Sequence, residues 1–195
     1  MEAYSDRYEA ALALAAEAHY SQMRKLGGDP YIVHPVHVSV LLIRHGFPED
    51  VAIAGLLHDI VEDQGVPLED LEARFGTAVA EMVSALTEWK SEEGVERLWE
   101  ARKQEALGHL RQASHGAVAV KAADTLHNVR SVLLGLHREG SSVWNSFKRG
   151  PAETMWYYRS VSEIVHSRLG THPLALELEK AISRLEQALD ETTEP

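Results

Sequence analysis

An all-α fold is predicted for this chain by three observations. Apolar residues recur at helical spacing along nearly its whole length. Prolines stand where helices would begin and glycines where they would end. Sustained strand-type alternation is missing: "AVAV" at 117–120 sits inside a run too long and too rich in Ala and Leu for a strand.

Taken in order, Arg7 to Met23 is an alanine-rich helix with Tyr8, Leu12, Ala15 and His19 on one stripe. "RKLGGDPY" interrupts with two glycines and a proline, which makes a loop. A second helix runs from Pro35, a residue favourable in a first turn, to Gly46. "FPEDVAIAGLLHDIVEDQG" predicts a third: Pro48 suits its start, Glu49 and Asp50 complement its positive end, and Gly65 closes it in a left-handed cap. "VPLEDLEARFG" and "TAVAEMVSALTEW" predict two short helices parted by Gly76. Val95–Arg111 is charged and amphipathic, and Gly116–Gly135 is mostly apolar. Pro151–Leu169 and Pro173–Leu189 complete the bundle. The expected organisation is one domain over residues 1–190, with 191–195 a frayed tail.

Composition narrows the function. At 195 residues the chain has room for a real core, and 45% hydrophobic with 25% charged residues is ordinary for a globular protein. A formal charge of −11 speaks against binding DNA or RNA, which needs a positive field, yet leaves room for a small anion held by a local cluster of cations. Without cysteine there are neither disulfides nor thiolate metal sites, so His, Asp and Glu must supply any metal ligands. The opening "MEAYSDRYEAA" lacks the cationic and apolar regions of a signal peptide. The longest apolar run, "VHVSVLLI", is too short to span a bilayer. A cytoplasmic location without membrane attachment is expected.

The chemistry concentrates in "GLLHDIVEDQG". On a helix each residue advances about 100°, which places His58 over Glu62 and Asp59 over Asp63. Burying such acids without partners is costly. Either this edge is solvated or something positive sits on it. Two further segments favour the second reading. "PYIVHPVHV" places His34 directly before a helix-starting proline, and "VKAADTLHNVRSV" places Asp124 inside an apolar helix with His127 and Asn128 on the same face. His34, His58, Asp59 and Asp124 together offer two imidazoles and two carboxylates. That mixed set, with positions left for water or substrate, suits Mn²⁺ or Fe²⁺ better than a closed zinc site.

The order His…His-Asp…Asp resembles the HD-domain metal-dependent phosphohydrolases. "HYSQMRKLGGDPYIVHP", "AGLLHDIVEDQG", Phe75–Gly76 and "VKAADTLHNVRS" are similar, in order and spacing, to the hydrolase domain of the RelA/SpoT homologues. The likeness is dense from His19 to Ser131, thinner through "RKQEALGHL" and "FKRGPAETMWYYRS", and only helical after Arg168. The long members carry a synthetase domain for which there is no room here, so the expectation is a stand-alone small alarmone hydrolase folded as an HD-type helical bundle. The resemblance implies hydrolytic removal of the 3′-pyrophosphate from guanosine tetra- or pentaphosphate, leaving GDP or GTP, with Mn²⁺ as cofactor. Other readings are an HD hydrolase of adenine alarmones or of another phosphorylated nucleotide (a deoxynucleotide or NADPH), and a non-catalytic nucleotide-sensing bundle.

By the same resemblance Glu62 and Asp63 match the family's catalytic Glu-Asp pair. Glu62 would orient water or shuttle its proton, and Asp63 would share that role or act on the leaving oxygen. Neighbouring carboxylates push each other's pKa apart, which helps one of them carry a proton. At a helix C-terminus both would sit against the dipole, a mismatch that favours function. Arg24 and Lys25 match base and phosphate contacts, the arginine plane stacking on the purine. Asn128 matches a nucleotide-bonding residue, and Ser131 stands where threonine is commoner. Lys148, with Arg149, could steer phosphates or be plain surface charge. Tyr157 could meet the sugar or a phosphate, or belong to the core. His19, His37, His45 and His127 are read as non-ligands, with His127 either lining the site or donating to a ligand carboxylate, and Lys121 as a pair for a nearby acid. The extra glycine of "RKLGGDPY", where the long enzymes have a shorter turn, leaves guanine over adenine open.

Overall fold

Helix starts and stops follow local chemistry. Ser5 caps α1 (Asp6–Ala18), its hydroxyl accepting the Tyr8 N–H at 3.2 Å. Ser114 does the same for α8 (His115–Glu139) at Ala117. In the computed structural model, which describes residues 5–92 and 95–193, the other helices are α2 (Val33–Arg44), α3 (Glu49–Leu57), α4 (Ile60–Gln64), α5 (Leu68–Phe75), α6 (Thr77–Leu86), α7 (Trp99–Gln112), α9 (Pro151–Leu169) and α10 (Pro173–Thr193). A 3₁₀ segment, Gly140–Ser146, links α8 to α9. Antiparallel pairing of β1 (Ser91–Glu92) with β2 (Val95–Glu96) and one bridge between Met23 and Pro30 are the extended pairings among the described residues. The fold is all-α, as the periodicity predicts.

The bundle is organised around α8. Its buried residues run from Ala117 to Leu136, and it packs against α2, α3, α6, α9 and α10. Alanines at 117, 119, 122 and 123, all fully buried, let those neighbours approach closely. α3 is enclosed as well, being buried from Val51 to Leu57. At its midpoint a side chain on Gly55 would come within 2.6 Å of the buried Leu42 on α2, so the absence of a Cβ sets the α2–α3 spacing. This holds His34 and His58, on those two helices, within reach of one another.

Several boundaries differ from the sequence expectation, among them the end of α8, which runs past Gly135 to Glu139, the start of α2 at Val33 and the end of α6 at Leu86. α1 ends at Ala18 instead of Met23: the chain turns so that the buried His19 ring meets Tyr31 (centroids 4.7 Å apart) and Met23 pairs with Pro30. The predicted third helix is two, α3 and α4, parted at His58–Asp59. The His58 ring Nδ1 donates to the Gly55 carbonyl at 2.9 Å, competing for the acceptor that the Asp59 N–H would use in a continuous helix. The expected helix from Val95 starts at Trp99, because Val95 to Arg97 pair back across a reversal, the Arg97 N–H reaching the Lys90 carbonyl at 3.0 Å. α10 continues to Thr193, so the frayed tail expected at 191–195 is helical through 193, and 194–195 lie outside the described residues. Gly65 does close α4 in the left-handed conformation at φ 68°, as predicted.

The spacing role of Gly55 is testable. Gly55→Val should cost about 1–3 kcal/mol through overpacking, seen as a lower urea midpoint at unchanged slope; an unmoved midpoint would show that α2 and α3 are not held at that distance by the missing side chain.

Candidate active site

His34 comes from the first turn of α2, His58 and Asp59 from the α3–α4 junction, and Asp124 from the middle of α8. These four, distant in sequence, meet. His34 Nε2 lies 3.3 Å from Asp124 Oδ1 and 3.6 Å from Asp59 Oδ2. His58 Nε2 lies 3.0 Å from Asp59 Oδ2 and 4.0 Å from Asp124 Oδ1. One donor atom each from His34, His58 and Asp59 falls within 4.8 Å of the others. Both imidazoles and Asp124 are buried.

The donor set fits a divalent cation on grounds of hydrogen bonding and charge. His58 spends its Nδ1–H on the Gly55 carbonyl, so in the neutral ring Nε2 carries a lone pair, and that buried atom has no aligned hydrogen-bond partner. Electrostatics agree. Burial alone would strip the proton from His58, yet Asp59 and Asp124 hold it up to about 9 when no cation is present. Asp59 and Asp124 are both pushed down despite burial: Asp59 by His58 and then His34, Asp124 by Lys121 and then the two imidazoles. His34, unlike His58, is pushed down by burial, so it is the two carboxylates and their hold on His58 that favour positive charge here.

Each carboxylate is also held from behind. The Tyr31 hydroxyl donates to Asp59 Oδ2 at 2.6 Å. Lys121 donates to Asp124 Oδ2 at 2.9 Å and Asn128 to Oδ1 at 2.6 Å. Lys121 is therefore the partner of an acid, as its spacing implied. Tyr31 went unnoticed as a residue in its own right. The signal was available: three positions before His34 at the mouth of α2, it can reach whatever His34 reaches.

Glu62 and Asp63 stand beside this cluster, but not where the sequence placed them on the helix dipole. Because α4 is only the five residues Ile60–Gln64, both lie in its first turn and its last alike, and the argument from the helix dipole carries no weight. Their partners explain them instead. Lys90 reaches Glu62 Oε1 at 3.1 Å and Asp63 Oδ1 at 2.5 Å. Gln22 donates to Asp63 Oδ2 at 2.9 Å, and the Glu88 N–H to Glu62 Oε2 at 3.1 Å. Burial raises Glu62 above the usual carboxylate range, with Lys90 opposing. Lys90 and Gln22 had no signal in the sequence, since neither stands at helical spacing from the acids they hold.

A cavity of about 580 Å³ opens onto the cluster, a size suited to a nucleotide. Arg24, Lys25, Asn128, Lys148 and Tyr157 all line it. Arg24 donates to Asn128 Oδ1 at 3.0 Å and lies 5.7 Å over the Tyr31 ring. Tyr157 is buried, with the Lys103 ammonium 4.5 Å above its ring, so it belongs to both core and cavity wall. Lys148 is at the rim, paired with Glu96 at 2.6 Å. Ser131 stands behind the wall: its hydroxyl donates to the His127 carbonyl at 2.9 Å and receives Arg24 at 3.4 Å. Gly27 and Gly28 both take positive φ (81° and 67°), which is how "RKLGGDPY" turns Arg24 back onto α8.

Of the other histidines, His19, His37 and His45 lie outside the ion cluster, as expected. Of the two roles expected for His127, donation to a ligand carboxylate is not seen: it contacts the His34 ring, Nδ1 to Nδ1 at 2.8 Å, while Lys121 and Asn128 occupy Asp124.

Residues 11–151 match the HD domain. The chain belongs to the HD-domain family. It is 35% identical over 161 residues, 81% of this chain and 82% of the other, to the zebrafish (Danio rerio) guanosine-3′,5′-bis(diphosphate) 3′-pyrophosphohydrolase MESH1. With the bifunctional (p)ppGpp synthase/hydrolase SpoT of Escherichia coli it shares 32% identity over 89% of its own length but only 23% of SpoT's. Among solved structures, a metazoan orthologue of SpoT that hydrolyses ppGpp aligns with TM-score 0.75 and 27% identity, over 94% of this chain and 98% of that one. The Listeria monocytogenes protein lmo0812 aligns with TM-score 0.69 and 35% identity, over 78% and 97%. The HD fold and its His/Asp cluster imply a divalent metal. Among the described residues no helix is long and apolar enough to cross a membrane.

Tyr31→Phe removes one hydrogen bond and little volume. Divalent-cation affinity, measured by competition with a metallochromic dye, should fall about 10- to 100-fold with the circular dichroism spectrum unchanged. Undiminished affinity would show that Asp59 is oriented without the phenol.

Proposed function

We propose that this protein is a metal-dependent (p)ppGpp 3′-pyrophosphohydrolase that releases pyrophosphate and GDP or GTP. The observation that carries the reading is the convergence of His34, His58, Asp59 and Asp124 beside the Glu62–Asp63 pair at the floor of a nucleotide-sized cavity. The likeness to MESH1 over most of both chains supports the substrate class. With two imidazoles, two carboxylates and an open side toward the cavity, Mn²⁺ is the cation we assign to the site. We assign the protein to the cytoplasm, acting on a small nucleotide and not on DNA or RNA.

His34, His58, Asp59 and Asp124 would hold the cation. When bound, such an ion lowers the pKa of water and offsets charge on phosphoryl oxygens. The remaining work falls to the side chains. Water adds to the phosphorus next to the 3′-oxygen, the P–O3′ bond breaks, one proton leaves the water and one must reach the 3′-oxygen. Glu62, raised by burial, is suited to take the first proton near neutral pH and pass it on. Asp63, fixed by Gln22 and Lys90, stands adjacent to share the transfer. Lys90 keeps the two acids from repelling the polyphosphate. Arg24 offers a guanidinium face for the purine, with Lys25, Asn128 and Ser131 around it. Lys148 at the rim and Tyr157 in the wall would meet phosphate and sugar.

Product analysis tests the reaction. Incubation with ppGpp and Mn²⁺ should yield GDP and pyrophosphate in equal amounts, and chelation should abolish both; release of orthophosphate, or cleavage of ppApp alone, would replace this substrate or this bond with another. Glu62→Gln should lower kcat by about 10²–10⁴-fold at unchanged metal content and melting temperature. Activity within threefold of the unsubstituted protein would remove Glu62 from the proton transfer.

A further inference from the structure

Three imidazoles form a path from the ion cluster to the surface. His34 is buried, His127 half-buried and His37 exposed. His34 Nδ1 lies 2.8 Å from His127 Nδ1, and His127 Nε2 lies 3.1 Å from His37 Nδ1. Successive ring centroids are 4.9 and 4.8 Å apart.

A neutral imidazole has one N–H and one lone pair, so at each ring–ring contact one nitrogen donates and the other accepts. The choice made at His34 then dictates the next two. Without a cation, His34 Nε2 faces only carboxylate oxygens, Asp124 Oδ1 at 3.3 Å and Asp59 Oδ2 at 3.6 Å, and must carry the proton. His34 Nδ1 is then an acceptor for His127 Nδ1–H, and His127 Nε2 an acceptor for His37 Nδ1–H. With a cation on Nε2 every role reverses. His34 Nδ1–H donates to His127 Nδ1, His127 Nε2–H donates to His37 Nδ1, and His37 carries its proton on Nε2, toward solvent.

We propose that occupancy of the ion site is relayed to the protein surface as a concerted tautomer change of His34, His127 and His37, with His127 the positioning residue that leaves His34 Nε2 free for the ion. The proposal rests on His34 being an ion ligand. Protons balance: one leaves His34 Nε2 into the cavity, one passes from His127 to His34, one from His37 to His127, and one enters His37 Nε2 from solvent water. No ring changes charge. His37, which touches neither ion nor substrate, thereby reports the state of a buried site.

The test is nitrogen-15 NMR of the full chain, labelled at histidine and freed of metal by chelator, at pH 8, where a free imidazole is uncharged. Zn²⁺ serves as a diamagnetic probe. Protonated and bare ring nitrogens resonate far apart, so each tautomer is read directly. The expected result is that all three rings exchange tautomer together as one equivalent of Zn²⁺ is added. If His34 binds Zn²⁺ through Nε2 while His127 and His37 keep their tautomers, the relay is overturned and the ion site stands. If Zn²⁺ leaves His34 untouched, the ion-site reading fails and the relay with it. A second measurement separates positioning from packing. His127→Gln keeps an acceptor for His34 and a donor for His37, and should bind Mn²⁺ within about threefold of the unsubstituted protein. His127→Leu should bind it about 10-fold or more weaker; equal loss in both variants would overturn the positioning role.

Discussion

Two aspartates in the middle of a helical bundle, Asp124 buried and Asp59 largely so, constrain everything around them. Carboxylates in such surroundings need positive charge and hydrogen-bond donors close at hand. Asp124 is met by Lys121, Asn128 and His34, and Asp59 by Tyr31, His58 and His34. Helix order, the break between α3 and α4, and the small residues of α3 and α8 all serve to bring those partners together. The bundle is the means of keeping them there, and the cavity gives a substrate access to the result.

The site shows a division of labour between oxygen atoms. On Asp124 one oxygen is tied to Lys121, which leaves the other to face the imidazoles. On the neighbouring acidic pair both acids are held at both oxygens and share Lys90, Asp63 being held also by the Gln22 amide and Glu62 by the Glu88 backbone N–H. Glu62 is the one whose burial raises its proton affinity. That difference in proton affinity is what supports the proposed division between proton transfer at Glu62 and support at Asp63.

Periodicity carried most of the fold, because a helix that buries one face must repeat its apolar residues. α9 begins and ends at the residues its proline and apolar pattern predict. What periodicity could not register was local competition for backbone groups. His58 binding the Gly55 carbonyl parts α3 from α4, and the pairing of Val95 to Arg97 across a reversal delays α7. The four proposed ligands could be found because each is an anomaly: a polar side chain on an apolar face. Tyr31, Gln22 and Lys90 are not anomalous where they stand, and only the folded chain shows which acids they hold. The dipole argument for Glu62 and Asp63 failed for the same reason, since it needed to know where one helix stopped and the next began.

The loop that turns on Gly27 and Gly28 has a wider consequence. Its arginine, Arg24, is moored to Asn128, and Asn128 is in turn bonded to Asp124. In the proposed reading, recognition of the base and retention of the ion therefore share a single strut. A lineage drifting toward a different nucleobase could not exchange this arginine by itself, because the amide behind it would swing and slacken the aspartate. Changes of diet in such an enzyme should arrive as paired substitutions, one in the loop and one on α8, and the opposite wall offers no easier route, because Lys121 joins the Tyr157 ring to Asp124 there.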